Sequence, residues 1–154
     1  MLRLGRLTDY AVTLLSHMGN GGEEALWAAS GLAEKSGLSM PTTAKILKLL
    51  AKGGLVSAQR GATGGYKLAR RAPEISIAEI IEIMDGPIAI TDCSHGSAHE
   101  NCKIRRLCPM SVGWNKVNLA VRGALENVSL AEMFVMPLLP GEYDMSSKNP
   151  QRKS

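Results

Sequence analysis

Apolar residues in the first fifty positions recur at the spacing of three short helices. The first predicted helix has apolar residues three or four positions apart, at Leu7, Ala11, Leu14, Leu15 and Met18. A second, shorter helix covers residues 31–36 and ends at Gly37. Ser39 can then cap a third helix that has Pro41 in its first turn. Two helices joined by a tight glycine-containing turn predict a helix-turn-helix.

The third predicted helix has an apolar side and a basic side. The apolar side is formed by Ile46, Leu47, Leu49 and Leu50, and the opposite half of the helical wheel carries Thr42, Lys45, Lys48 and Lys52. Charges at this spacing usually form a solvated face. In a helix-turn-helix the same face meets DNA, so we predict that Lys45 and Lys48 contact phosphates. Thr42 and Thr43 are predicted to approach base edges, with Ser39 beside them.

A basic hairpin is predicted directly after the third helix. Residues 55–60 and 66–70 have the composition of two strands, and the glycine-rich segment 61–65 joins them. Such a tip is an ordinary hairpin turn in many proteins, but a small tip also lets a wing enter the minor groove of DNA. The predicted DNA contacts of this wing are Arg60, Thr63, Gly64 and Tyr66. Lys67, Arg70 and Arg71 add positive charge nearby.

The second half of the chain has two more helical patterns, separated by a polar stretch. Ser76 and Glu79 form a capping-box sequence that opens a fourth helix, which closes at residues 85–87. Periodicity then disappears until residue 108. A longer helix follows, with an apolar seam at Trp114, Val117, Val121, Ala124 and Val128 that requires a partner. A second capping box, Ser129 with Glu132, opens a last short helix.

These patterns predict a mainly α fold with a small β-hairpin wing, in the α+β class. The division is a winged helix-turn-helix DNA-binding domain at residues 1–86, a cysteine loop at 87–108 and a dimerisation helix with a short C-terminal helix at 109–140. Residues 141–154 are predicted to be a disordered tail. A net charge of +4 and a pI of about 9.1 suit a polyanionic partner. Because no long apolar run is present, we expect a cytoplasmic protein without a membrane partner.

All three cysteines, Cys93, Cys102 and Cys108, lie in the polar stretch. Their polar neighbours favour metal ligation or thiol redox chemistry over burial in a core. Zinc bound by three thiolates with His95 or His99 is one alternative, but the wide spacings are not those of structural zinc sites. Iron–sulfur clusters accept looser spacing. A cysteine-dependent enzyme using Cys102 or Cys108 with His99 is a remote alternative, because no substrate or oxyanion site is evident.

Several segments together resemble a bacterial family of winged-helix iron–sulfur transcription regulators that includes the IscR, NsrR and RirA types. The resemblance is carried by the three cysteines and by Arg6-Leu-Thr-Asp-Tyr-Ala-Val12, Ala33-Glu-Lys-Ser-Gly-Leu-Ser39, Gly54-Leu-Val-Ser57 and Arg60-Gly-Ala-Thr-Gly-Gly-Tyr66. It covers nearly the whole chain. It implies that Cys93, Cys102 and Cys108 bind a 2Fe-2S or 4Fe-4S cluster in front of a dimerisation helix. The first twelve residues resemble most the branch that regulates the SUF iron–sulfur assembly operon.

The sequence departs from the family pattern in its first cysteine gap and in one ligand. The first gap has eight residues where the IscR type has five, and is nearer the longer gap of the RirA type. Where an IscR-type protein has a histidine ligand three residues after the last cysteine, this chain has Ser111. In NsrR-type members an aspartate of the other subunit completes the coordination, and Asp9 matches that position, with His95 or His99 as alternatives. The glutamate of the IscR-type recognition helix corresponds to Ala44, so the DNA sequence that is read is left open.

The sequence therefore predicts a homodimeric DNA-binding transcription regulator, a repressor and not an enzyme, whose iron–sulfur cluster sets its affinity for promoter DNA. We expect it to control iron–sulfur assembly or iron and redox stress genes, and to receive its cluster from the iron–sulfur assembly machinery. The main alternative is a cluster-free thiol-redox regulator on the same scaffold.

Overall fold

The elements follow the predicted order. The computed structural model describes residues 3–22, 24–91 and 109–134. The helices α1 to α5 are Arg6–Asn20, Ala29–Ser36, Met40–Lys52, Ile77–Met84 and Ser111–Glu126. The strands β1 and β2 are Val56–Gln59 and Gly65–Leu68, and two 3-10 helices are Ala72–Glu74 and Leu130–Phe134. The mainly helical fold with a two-stranded antiparallel hairpin is confirmed. None of these helices is both long and apolar enough to cross a bilayer.

Helix α1 lies in the centre of the core. Its residues Ala11, Leu14, Leu15 and Met18 are at most 1% exposed, so the predicted apolar face is confirmed. At its start, Gly5 has no side chain to cap the helix. The N–H of Gly5 instead donates to the Asp85 carboxylate at 2.9 Å, from the end of α4. A Cβ on Gly5 would lie 2.4 Å from that carboxylate, so a larger residue would displace the Asp85 side chain.

Helices α2 and α3 form the helix-turn-helix. Helix α2 ends at Gly37, whose φ of 70° lies in the left-handed region that favours glycine. Ser39 caps α3 as predicted, because its Oγ accepts from the Thr42 N–H at 3.4 Å. On the inner side Ile46, Leu47 and Leu50 are 0% exposed. Leu49, predicted on that side, is only half-buried.

The wing is held by one contact that the sequence pattern did not predict. Strands β1 and β2 pair from Val56 with Leu68 to Gln59 with Gly65. Trp27 then adds a single bridge to Tyr66, with an N–H···O bond of 2.8 Å in each direction. A Cβ on Gly65 would lie 2.6 Å from the Trp27 carbonyl oxygen. Glycine at this position therefore lets the hairpin pack against the segment before α2.

The chain returns to the winged domain after α5. The Ile77 N–H donates to the Val128 carbonyl at 2.9 Å, and the Leu130 N–H donates to the Ile75 carbonyl at 2.7 Å. Leu130 is 0% exposed and belongs to the same apolar core as α1, α3 and α4. The predicted division assigned residues 109–140 to a separate region, but the last short helix packs with the winged domain because Leu130 completes its core.

The predicted capping boxes have two different outcomes. In the second box, the Glu132 carboxylate accepts from the Ser129 N–H at 2.7 Å, as predicted. The Ser129 hydroxyl, however, donates to the same carboxylate at 2.8 Å, and the Glu132 N–H donates to the Ser129 carbonyl oxygen instead of that hydroxyl. In the first box, the Ser76 Oγ accepts from the Glu79 N–H at 3.2 Å. The Glu79 carboxylate, however, pairs with Arg70 of the wing. The ion pair with Arg70 therefore takes the Glu79 carboxylate, which the capping-box sequence predicts to bond the Ser76 N–H.

Helix α5 has apolar residues that its own chain leaves exposed. Trp114 is 42% exposed and Val117 is 43% exposed, both within the predicted seam. Two further residues outside that seam, Val112 and Leu119, are 77% and 69% exposed. At about 100° per residue, Trp114 and Val117 lie on one side of α5 and Val112 and Leu119 on the opposite side. The helix therefore exposes two separate apolar patches.

Replacing Leu130 tests whether the short C-terminal helix belongs to the core. Leu130→Ala should lower the free energy of unfolding by about 2–5 kcal/mol, because it leaves a cavity in a fully buried position. Urea unfolding at a fixed protein concentration measures the change. The control Met133→Ala, in the same short helix but 49% exposed, should stay within about 0.5 kcal/mol of the wild type. Equal effects of the two substitutions would contradict this packing.

Candidate DNA interface and cysteine segment

The exposed face of α3 is the candidate surface for the major groove. Met40, Pro41 and Ala44 are exposed in its first half, and Lys45, Lys48 and Lys52 are exposed further along. In the described part of the chain, no acidic side chain pairs with these three lysines. Their charges are therefore available to phosphates, as expected for Lys45 and Lys48.

The prediction for Thr43 needs correction. Its side chain is 0% exposed, so it faces the core and not DNA. The reason is helical periodicity, because Thr43 precedes Ile46 and Leu47 by three and four residues and lies on their side of α3. Thr42 is half-buried, and its hydroxyl lies 2.8 Å from the hydroxyl of Ser39, within hydrogen-bond distance. Ser39 and Thr42 thus lie together at the start of α3.

The wing presents its tip to solvent. Arg60 and Thr63 are exposed, while Gly64 and Tyr66 are half-buried. A Cβ on Gly64 would lie 2.2 Å from the Gln59 carbonyl oxygen, so the tight tip requires glycine. Tyr66 packs against the core and pairs with Trp27. Gly64 and Tyr66 therefore have a structural role in shaping the wing, and the side chains offered at its tip are those of Arg60 and Thr63.

Much of the positive charge beside the wing is already paired within the chain. The ammonium of Lys67 lies 2.9 Å from the Glu24 carboxylate, and Arg70 pairs with Glu79. Arg60 has no such partner in the described residues. The free charge of the wing is thus concentrated at Arg60, next to the tip.

Asp9, the predicted partner-subunit ligand, lies exposed in the first turn of α1. It lines a surface cleft together with Arg3, Leu4, Arg6 and Tyr10. No ion pair within 4 Å involves its carboxylate in the described part of the chain. An acid in this position complements the helix dipole, and its exposure also leaves it accessible to another chain.

The three predicted cysteine ligands, Cys93, Cys102 and Cys108, lie outside the described residues, as do His95 and His99. Among the residues that are described, no group of three histidine, cysteine or acidic side chains could hold a metal ion. The structure does describe both ends of the cysteine segment. These ends are residues 86–91, called the stem below, and the start of α5.

One side chain of α5 fastens the stem. Asn118 is 8% exposed, and its Oδ1 accepts from the Ile90 N–H at 3.0 Å. Its Nδ2 donates to the Ile88 carbonyl at 3.2 Å. The amide therefore satisfies a backbone donor and a backbone acceptor of the stem at once. Together with the contact between Asp85 and Gly5, it fixes the stem against both α1 and α5.

An ion-pair group joins α5 to α4 one turn further along. Arg122 lies 3.2 Å from Glu82 of α4 and 2.8 Å from Glu126 of its own helix. The hydrogen bond with Glu126, and then the charge of Glu82, raise the pKa of Arg122, so the guanidinium stays protonated. Because these groups are exposed, the pairs contribute orientation more than stability.

The sequence pattern missed Asn118, Trp27 and Asp85. The partners of Asn118 lie 28 and 30 residues away, and those of Asp85 lie 80 residues away. No local periodicity reports such contacts. A polar residue at a helical position adjoining Val121 and Leu125 was the available signal for Asn118, since a buried amide requires partners.

The helix-turn-helix, the lysine-bearing face of α3 and the glycine-tipped hairpin define a winged-helix DNA-binding protein. Residues 4–135 match the model of the Rrf2 family, described as iron-dependent transcriptional regulators. The chain belongs to the Rrf2 family and is a DNA-binding transcriptional regulator.

Curated proteins with similar sequences include several that are named HTH-type transcriptional regulator IscR. The protein of Photorhabdus laumondii is 30% identical over 132 residues, which cover 86% of this chain and 79% of the relative. That of Serratia proteamaculans is 29% identical with the same coverage.

Solved structures with the same fold include both IscR and CymR. IscR of T. potens is 27% identical with a TM-score of 0.60, covering 86% of this chain and 85% of that one. CymR of Staphylococcus aureus is 26% identical with a TM-score of 0.62, covering 86% and 98%. CymR of B. subtilis, a global cysteine regulator, has a TM-score of 0.66 and covers 87% and 97%; at 23% identity it shows the fold alone.

Removing one lysine of α3 tests the electrostatic part of this interface. Lys48→Ala should weaken binding to all DNA sequences by a similar factor, and should reduce the slope of log affinity against log salt by about one. Fluorescence anisotropy with duplex DNA from 50 to 200 mM salt measures both. The matched control Lys116→Ala, on the exposed side of α5, should leave the slope unchanged. A slope unchanged in Lys48→Ala would contradict a phosphate contact.

Proposed function

We propose that this protein is a cytoplasmic, homodimeric repressor whose affinity for promoter DNA is set by an iron–sulfur cluster bound at Cys93, Cys102 and Cys108. The genes under its control are those of iron–sulfur assembly, of the SUF type, or of iron and redox stress. One observation carries this proposal. The segment with all three thiols begins at a stem fixed to both the DNA-binding domain and α5.

The donor set of the chain fits an iron–sulfur cluster. Three cysteines within residues 93–108 supply three thiolates, and cluster irons accept thiolates with nitrogen or oxygen ligands in the remaining position. When bound, a 2Fe-2S or 4Fe-4S cluster supplies a redox-active centre whose potential depends on its ligands and exposure. The iron–sulfur assembly machinery is its proposed source. The IscR-named relatives support this assignment.

Asp9 is the proposed fourth ligand, contributed by the partner subunit. Its carboxylate is exposed, has no ion-pair partner in the described part of the chain, and lies in a cleft open to an approaching second chain. Arg3 and Arg6 line the same cleft. His95 and His99 are the alternative ligands.

The exposed apolar residues of α5 support a dimer. Trp114, Val117, Val112 and Leu119 are all more than 40% exposed in the single chain. A second copy of α5 would cover the side that carries Trp114 and Val117, and a two-fold dimer also places two recognition helices on two DNA half-sites. The ion pair between Arg122 and Glu82 of α4 would then help to orient each DNA-binding domain relative to the dimer helix.

The stem connects the cysteine segment to both α5 and the DNA-binding domain. Asn118 ties Ile88 and Ile90 to α5, and Asp85 ties the start of the stem to α1. Cys93 follows the stem by two residues. A change in how Cys93 is held therefore acts on a backbone segment that contacts both the DNA-binding domain and α5. A coupling of about 1–3 kcal/mol would change DNA affinity by about 5- to 150-fold.

A cluster-free thiol-redox regulator is the second candidate. The similarity to CymR of Staphylococcus aureus, at 26% identity over 86% of the chain, favours it. On this scaffold the same three thiols would be oxidised and reduced instead of binding iron. The stem would transmit the change in the same way, so only the chemistry of the cysteines differs between the two candidates.

Anaerobic purification separates the two candidates. We expect a coloured protein with visible absorption, and a native mass spectrum of a dimer that carries iron and sulfide. Asp9→Ala should lose the cluster faster in air, because one ligand position is vacated, while the control Glu34→Ala, an exposed acid on α2, should behave like the wild type. A colourless, iron-free wild type would contradict the cluster. If Asp9→Ala is coloured and loses its cluster in air at the wild-type rate, Asp9 is excluded as a ligand.

A further inference from the structure

We propose that the first half of α3 reads thymine methyl groups in the major groove, with Met40, Pro41 and Ala44 as the specificity-determining residues. This inference rests on the proposed DNA-binding function and adds the base chemistry that it recognises. It follows from what the start of the recognition helix exposes.

The three residues form one small apolar face. Met40 is 46% exposed, and Pro41 and Ala44 are also exposed. At about 100° per residue, they lie within an arc of about 100° on the outer side of α3. A single exposed apolar residue is ordinary, but three that adjoin at the start of a recognition helix form a patch, and such patches mark contact surfaces.

The first half of α3 has few polar side chains that could hydrogen-bond to base edges. The hydroxyls of Ser39 and Thr42 lie 2.8 Å apart, and Ser39 also caps the Thr42 N–H. Thr43 is buried. Helix α3 carries no carboxylate, amide or guanidinium side chain over Met40–Lys52. The amides that pair with adenine, the guanidinium that pairs with guanine and the carboxylates that accept from cytosine are therefore missing from it. Lysine, which can also pair with guanine, first occurs in this helix at Lys45.

An apolar side chain in the major groove has one specific target, the C5-methyl group of thymine. The surroundings favour DNA as the occupant over an apolar protein surface. Lys45, Lys48 and Lys52 continue the same exposed face, and Arg60 lies at the wing tip. In this arrangement the lysines contact phosphates, which carry no sequence information. The sequence preference then comes from contact between the apolar face and a thymine methyl group.

Replacing thymine with deoxyuridine tests the inference, because it removes the methyl group and keeps the base pair. Duplexes are first selected from a random-sequence pool with the full-length protein, and each thymine of the selected duplex is then replaced in turn. We expect affinity to fall about fourfold per methyl group at one or two positions of each half-site. Fluorescence anisotropy at one salt concentration measures each duplex.

Variants of the protein assign the effect to this face. In Met40→Ala and Ala44→Ser, the deoxyuridine penalty should shrink at the position that the altered side chain contacts, as a double-mutant cycle reports. In the control Lys48→Ala, affinity should fall for thymine and deoxyuridine duplexes alike, with the penalty unchanged. Circular dichroism checks that each variant keeps its helices.

Two different results would overturn two different claims. If the protein binds the selected duplex and deoxyuridine has no effect at any position, the methyl readout is wrong and the DNA-binding function stands. A penalty that is equal in the wild type, Met40→Ala and Ala44→Ser reflects DNA shape and also overturns the assignment. If no duplex is enriched or bound at low salt, the proposed function itself fails.

Discussion

The amide of Asn118 joins two parts of the molecule that the cysteine segment separates in sequence. It is nearly buried and bonds one backbone donor and one backbone acceptor of the stem. Removing it would leave both backbone groups without these partners, and an unsatisfied buried group costs about 1–3 kcal/mol. The position of the stem, and with it the start of the cysteine segment, depends on this contact.

The rest of the fold makes that contact consequential. Leu130 returns the chain to the winged domain after α5, and Arg122 joins α5 to α4. Helix α5 is thus held against the DNA-binding domain through Arg122 and through the chain that follows it, while several of its apolar residues remain exposed. Because the stem is bonded to both α1 and α5, a change in the position of the stem would shift these two helices relative to each other.

Local sequence signals predicted most of the fold, and long-range contacts account for what they missed. The cap at Ser39, the bond from the Ser129 N–H to Glu132 and the apolar face of α1 depend on neighbouring residues, and each is present. The error at Thr43 was avoidable, since helical periodicity alone places it beside Ile46. The bridge between Trp27 and Tyr66 and the bonds of Asn118 join distant positions. No pattern within one segment encodes them.

The candidate site was predicted less completely than the fold, for the same physical reason. Residue type and helical spacing identified Lys45 and Lys48, whose exposure needs no partner. Pairing of charges is a tertiary property, so the neutralisation of Lys67 by Glu24 was not visible in the sequence. The exposure of Met40, on which the proposed thymine readout rests, is likewise absent from the sequence-based prediction.

The most direct test of the account is the ratio of DNA affinities between the cluster-loaded and cluster-free protein, measured on one selected duplex. The wild type should show a ratio of about 5- to 150-fold. Asn118→Ala should bring the ratio close to one, because the stem is no longer tied to α5, while the exposed control Asn115→Ala keeps the wild-type ratio. A full ratio in Asn118→Ala would contradict transmission through the stem.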